Sequence, residues 1–140
     1  MESNDIISVS SFFLRLSLGI AFIYLGALKA VSPVAQNVWL KLFQNIPFLK
    51  GAEYGALNAL LYCELIIGFA LLLGLFTRSM AVAATLVIMT NLFLLNWFLP
   101  AELLGPWGPF VIKDIVFLGS ALALIATGAP HISLDSLFEL

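Results

Sequence analysis

Leu60–Ser79 reads LLYCELIIGFALLLGLFTRS, a long apolar run carrying one carboxylate, Glu64, in its first half. About twenty consecutive apolar residues suit a helix that crosses a bilayer. A carboxylate near the middle of such a helix costs roughly 2.5–3.5 kcal/mol on insertion scales, so it is paired, solvated or functional. The rest of the chain is read for what Glu64 faces.

The composition sets the class. Of 140 residues, 62% are hydrophobic and only 10% are charged, with a mean hydropathy of +1.10. A soluble domain carries about 25% charged residues. There are too few polar side chains here to cover a water-facing surface, and the expectation is one integral membrane domain over residues 1–140 in contact with the lipid bilayer. Six basic and eight acidic residues give a net charge of −2 with no basic cluster, which disfavours nucleic-acid binding. The single cysteine, Cys63, excludes an internal disulfide or a cysteine-built metal centre from this chain alone, and no metal ligands are assigned. Cys63 reads as a small packing residue or, alternatively, a redox thiol. The start MESNDIISVSSFF lacks a basic leader and a small-residue cleavage site, so the first apolar run is expected to be retained.

Four runs are long enough to span, at about residues 12–31, 57–76, 80–99 and 110–127. Gly19 and Gly26 share a face of the first and suit close helix packing. Ser32-Pro33 stops that helix, because proline cannot continue the ladder. Within residues 34–56, Val38, Leu42 and Ile46 recur every fourth position, with Trp39 and Phe43 beside them. That spacing predicts an amphipathic helix in the membrane interface between spans 1 and 2, ended by Pro47. Thr77-Arg78-Ser79 is the expected turn of a tight hairpin between spans 2 and 3. Residues 100–109, PAELLGPWGP, form a loop, and Gly128-Ala129-Pro130 ends the fourth span. The fold class is all-α, a four-helix transmembrane bundle with both termini on one side.

This topology places polar groups by depth. Lys29 ends span 1, Glu64 lies roughly 10 Å into span 2, Asn91 and Asn96 approach the same side in span 3, and Lys113-Asp114 opens span 4. Glu64 is either one half of a buried ion pair with Lys29 or Lys113, or a ligand or proton site. Asp114 follows Lys113 on a helix and is expected to point about 100° away from it, leaving one charge for water, lipid or substrate. Trp39, Trp97 and Trp107 with Tyr24, Tyr54 and Tyr62 form an interfacial belt or line a ligand entrance. On the opposite side Arg78 is a solvated cation. Arg15 snorkels outward or pairs inside the bundle. The only histidine, His131, follows the last span, so no intramembrane histidine pair can ligate a haem.

Three stretches carry a family resemblance: RLSLGIAFIYLGALKA in span 1, CELIIGFALLLGLFTR in span 2, and KDIVFLGSALALIATGAPHISLD in span 4. With Arg15, Lys29, Glu64, Gly68, Thr77, Arg78, Lys113, Asp114, Gly128, Ser133 and Asp135 in order, the chain resembles the DoxX/DoxD family over nearly its whole length. It is similar to the short DoxX form, without a fused DoxA-like domain. The resemblance implies a four-helix protein of the bacterial or archaeal cytoplasmic membrane. It also implies a link to thiosulfate:quinone oxidoreductase, in which a DoxD-type and a DoxA-type subunit together oxidise thiosulfate and reduce quinone.

The expected function is a membrane-embedded subunit of a quinone-linked redox complex, partnered by other membrane subunits. Glu64 is the candidate catalytic residue, a carboxylate at depth suited to proton transfer. Lys29, Asn96, Lys113, Asp114 and Arg15 are the candidate substrate-binding residues, because lysines suit a quinone carbonyl or a small anion. No covalently bound cofactor is expected; a quinone is the candidate ligand. The alternative is a non-catalytic accessory subunit packed against a larger energy-converting complex.

Overall fold

In the computed structural model, which describes residues 3–98 and 108–128, every apolar run is helical and no strand occurs among the described residues. Helix α1 covers Ser3–Val31, α2 covers Pro33–Gln44, α3 covers Glu53–Leu73, α4 covers Thr77–Phe98 and α5 covers Gly108–Thr127. A short 3₁₀ turn, Pro47–Leu49, lies between α2 and α3. Three helices, over Asp5–Val31, Glu53–Leu73 and Thr77–Leu95, are long and apolar enough to cross a membrane. The expected loop at residues 100–109 falls mostly outside the described residues, as do Trp107 and the tail with His131, Ser133 and Asp135.

The boundaries move for physical reasons. Helix α1 starts nine residues before the apolar window, because a helix continues into a polar segment while hydropathy marks only its apolar part. Ser32-Pro33 ends α1 and also begins α2: the Ser32 hydroxyl accepts from the Ala35 N–H at 3.3 Å, and Pro33 takes the first helical position, where no N–H is required. The hairpin turn lies at Gly74–Phe76, not at the expected Thr77-Arg78-Ser79. Gly74 adopts the left-handed conformation (φ 68°), which caps α3 and sends the Leu75 N–H back to the Ala70 carbonyl at 2.9 Å. Thr77 therefore already belongs to α4.

Helix α1 packs most extensively on α3 and α4 on α5, and α1–α5 and α3–α4 contacts join the two pairs. The α1–α3 seam depends on glycine. A Cβ on Gly68 would sit 2.7 Å from Ile23 Cγ1 and 2.9 Å from the Gly19 carbonyl oxygen, and one on Gly19 would sit 2.9 Å from the Gly68 carbonyl oxygen. These two backbones touch. Gly26 continues the seam against Leu65.

One core cluster, with Leu18, Phe22, Ile67, Leu71, Ala84, Ile88 and Leu124, fills the space between these four helices. A second, with Leu42, Phe43, Ile46, Leu57 and Leu95, lies beneath α2. The expected stripe turns inward, with Leu42 and Ile46 fully buried and Val38 at the edge, but α2 ends at Gln44, before the expected stop at Pro47, so Ile46 follows the helix. Large apolar side chains such as Phe13, Phe69, Leu86 and Ile112 point outward. An exterior of this kind matches hydrocarbon, not water.

Candidate functional site

The polar groups of α1, α3, α4 and α5 meet at one end of these helices. Lys29 lies two residues before the end of α1 and is 3% exposed; Glu64, midway along α3, is 1% exposed. The Lys29 ammonium donates to both carboxylate oxygens, at 2.8 Å to Oε1 and 2.7 Å to Oε2. Of the two ion-pair partners open to Glu64 from the sequence, the fold selects Lys29. The amino group also lies 4.8 Å from the centre of the Trp39 ring, so α2 covers the pair from above. A cation over an indole face is attracted by the ring quadrupole.

On α5, Lys113 and Asp114 do pair, with Nζ to Oδ1 at 3.0 Å. This corrects the expectation that adjacent helical positions keep them apart. The Cβ directions diverge by about 100°, but four methylenes let the lysine amino group curl back along the helix surface. Asp114 is buried, while Lys113 is about one-third exposed and also lies 5.6 Å from the centre of the Phe117 ring.

Asn91 completes the set from α4. It is 8% exposed and lines the same cavity as Glu64. The Asn91 Oδ1 atom is buried without a hydrogen-bond partner among the described residues. Asn91 belongs to the buried stripe Ala84, Ile88, Leu95 at helical spacing. That stripe is set by the packing of α4 against its neighbours, and no sequence signal ranked Asn91 above Asn96. Asn96 is five residues on, about 140° around the helix, and its side chain lies outside the described residues.

Lys29, Glu64, Asn91, Lys113 and Asp114 line a cavity of about 230 Å³. Its remaining wall is mostly apolar, with Leu25, Leu28, Val38 and Leu95 as floor and sides and Trp39 at the roof. A single water needs only about 10–15 Å³ of such space, so the cavity admits a ring-sized organic molecule. Its chemistry is two charge pairs, one amide side chain and hydrocarbon walls. Of the aromatics read as a belt or an entrance, Trp39 lines the cavity, whereas Tyr24, Tyr54, Tyr62 and Trp97 face outward.

Arg15 is not part of this site. It precedes Lys29 by fourteen helical residues, about 21 Å along α1, and does not line the cavity. It does not snorkel either: Arg15 is 3% exposed, with its guanidinium 5.8 Å from the centre of the Phe12 ring. At that opposite end the buried Ser11 hydroxyl donates to the Gly128 carbonyl, tying α1 to the end of α5. Arg78 is exposed but leans on Gly128, whose Cβ, if present, would lie 2.9 Å from Arg78 Nε. Cys63 is exposed on α3 and is not a buried packing residue, because it faces away from the α1 seam.

No protein-family model, curated protein or solved structure matches this chain.

Proposed function

We propose that this chain is a four-span, DoxX-type membrane subunit of a quinone-linked redox complex, with the Lys29–Glu64–Asn91–Lys113–Asp114 cavity as its ligand site. In this reading α5 is the fourth span and α2 lies in the interface on the cavity side. One observation carries it. Charged or amide groups from all four long helices converge on one cavity whose other walls are hydrocarbon. Ionisable groups inside a membrane helix bundle are costly and mark ligand or proton pathways by default.

The residues present suit a quinone ring. The apolar floor and the Trp39 indole match its faces, and the partly exposed Lys113 amino group is a donor for a carbonyl oxygen. When bound, a quinone would supply two-electron, two-proton redox chemistry. The chain's own part is to bind and orient the ring, to exclude water beneath α2, and to pass a proton through the Glu64 carboxyl to the ring as it is reduced. The electrons come from a partner subunit, because this sequence carries no evident electron carrier of its own.

Glu64→Gln tests the reading. The expected result in isolated membranes is loss of most quinone reduction with the complex still assembled. Unchanged quinone reduction would remove Glu64 from the chemistry.

A specific observation favours a second reading, the non-catalytic accessory subunit. Both Glu64 oxygens are already taken by Lys29, so the pair also serves as a clamp between α1 and α3. Recovery of the chain in fixed ratio with a large membrane complex whose activity survives its deletion would decide for that reading.

A further inference from the structure

Access to the cavity is one-sided. Lys29, Leu42, Glu64, Asn91, Leu95 and Asp114 form its inner end, and all six are buried. Two lining residues stand at the outer end. Val34, at the start of α2, is 75% exposed, and Lys113, on α5, keeps about a third of its side chain accessible. Among the described elements α2 packs mainly on α1, α3 and α4, so the opening lies between the α1–α2 junction and α5. Its rim is apolar: Val31 and Val34 on one side, and Val116, one turn along α5 from Lys113, on the other, are all strongly exposed. In the four-span reading such side chains face acyl chains, and an opening between two spanning helices leads into lipid.

The polar group at that opening is a donor. Lys29 gives two hydrogen bonds to Glu64 and lies against the Trp39 ring, at the buried end. Lys113 meets one Asp114 oxygen, at 3.0 Å, and its side chain belongs to the part-exposed outer wall. Two cations and two anions line the cavity among the described residues, so their charges cancel. An ionic ligand would bring an uncompensated charge into a low-dielectric site. A neutral acceptor can meet the Lys113 ammonium and leave both pairs intact.

We infer that the cavity is loaded sideways from the bilayer, through the opening between Val34 and Lys113, by an uncharged carbonyl compound whose ring enters and whose alkyl tail stays in the lipid. This rests on the ligand-site reading above and names its substrate class, lipid-dissolved ring ketones and quinones, with water-soluble anions excluded. Lys113 is the specificity-determining residue and donates to the carbonyl oxygen, while Trp39 and the leucine walls hold the ring.

The test is photolabelling of the full chain in lipid nanodiscs with 4-decylbenzophenone, whose carbonyl is both the acceptor and the photoreactive centre. Saturable adducts are expected on the cavity residues Leu25, Leu28 and Val38. At equal mole fraction in the bilayer, 4-decylacetophenone should protect these residues about tenfold better than its isopropenyl analogue, which has the same shape and no acceptor. 4-tert-Butylacetophenone should protect them as well as the decyl compound does, because the tail makes no contact inside the cavity. Val34→Trp narrows the opening and should cut the adducts about tenfold. Lys113→Met combined with Asp114→Leu removes both charges together and should abolish the ketone preference. Equal protection of the native chain by the ketone and its isopropenyl analogue overturns the inference without any variant. So do adducts confined to outward-facing side chains such as Phe69 and Leu86, a decyl competitor tenfold weaker than the tert-butyl one, or protection by millimolar thiosulfate. Unchanged labelling of Val34→Trp, or a ketone preference that survives the double variant, overturns it as well. Decylubiquinone should also protect. Discrimination among the ketone probes with no protection by decylubiquinone supports the lipid-side site and removes the quinone-linked reading.

Discussion

Glu64 and Lys29 illustrate how two expensive residues become tolerable together. A buried pair gains its attraction only with good geometry, and here both carboxylate oxygens receive the ammonium. Removing one partner is therefore worse than removing both. Lys29→Met strands the carboxylate and is expected to destabilise the protein by about 3–5 kcal/mol. The double variant Lys29→Met with Glu64→Leu should recover most of that loss. Thermal unfolding in a fixed detergent, comparing the single and double variants, checks the order. A double variant no more stable than the single would show that the pair does more than neutralise itself. The sequence narrowed the partner of Glu64 to two lysines, but choosing between them needed distances, because both lysines lie at the same depth on different helices.

Among elements, the α1–α3 seam is the most demanding contact. Gly19 and Gly68 bring two backbones together, and any side chain at Gly68 meets Ile23 and the Gly19 carbonyl. In lipid, helices associate through such packing, since there is no water to drive them together. Gly68→Ala is expected to cost about 1–3 kcal/mol through overpacking. Because Glu64 is one turn before Gly68 on α3, the same change should also loosen the Lys29–Glu64 pair. Unfolding temperature in detergent measures the first effect. A Gly68→Ala protein as stable as the parent would mean the seam relaxes freely. Gly74 is a separate case, since its φ of 68° is one that an L side chain adopts at a cost of roughly 1–2 kcal/mol. Gly74→Ala should lower the unfolding temperature by a smaller step than Gly68→Ala, and the ranking of the two is itself checkable in one series.

At the scale of the whole molecule, the proposed four-span topology puts the cavity and α2 on one side and the Gly74–Phe76 turn on the other. With Cys63 replaced by Ser, an impermeant maleimide added to sealed vesicles should label Lys50→Cys and Leu75→Cys from opposite faces. Labelling of both from the same face would overturn the topology. The covering role of α2 is testable in the same preparation: Trp39→Ala removes the indole over Lys29 and should open the cavity to water. A cysteine at Leu28, in the cavity wall, is then expected to react faster with the same reagent by severalfold, and equal rates would show that α2 does not limit access.

Several features followed from the chain by itself. Composition excluded a soluble surface, apolar run length located the helices, Ser32-Pro33 broke α1, and the spacing of Val38 and Leu42 marked α2. These are local properties: helix length, proline's missing N–H and side-chain period depend on neighbours within a few residues. What required the tertiary structure was non-local. The left-handed cap at Gly74 moved the hairpin turn. The curl of Lys113 onto Asp114 reversed an expectation built on Cβ directions alone. Arg15, read as a candidate binding residue, stays at the far end of α1, because a helix is a rod and fourteen residues cannot be folded back. Asn91 stood beside Asn96 as one of two amides on α4. Only the packing of α4 against its neighbours put Asn91 in the wall of the cavity that Glu64 also lines, since which face of an apolar helix is inward is decided by its neighbours when lipid and core are equally hydrophobic.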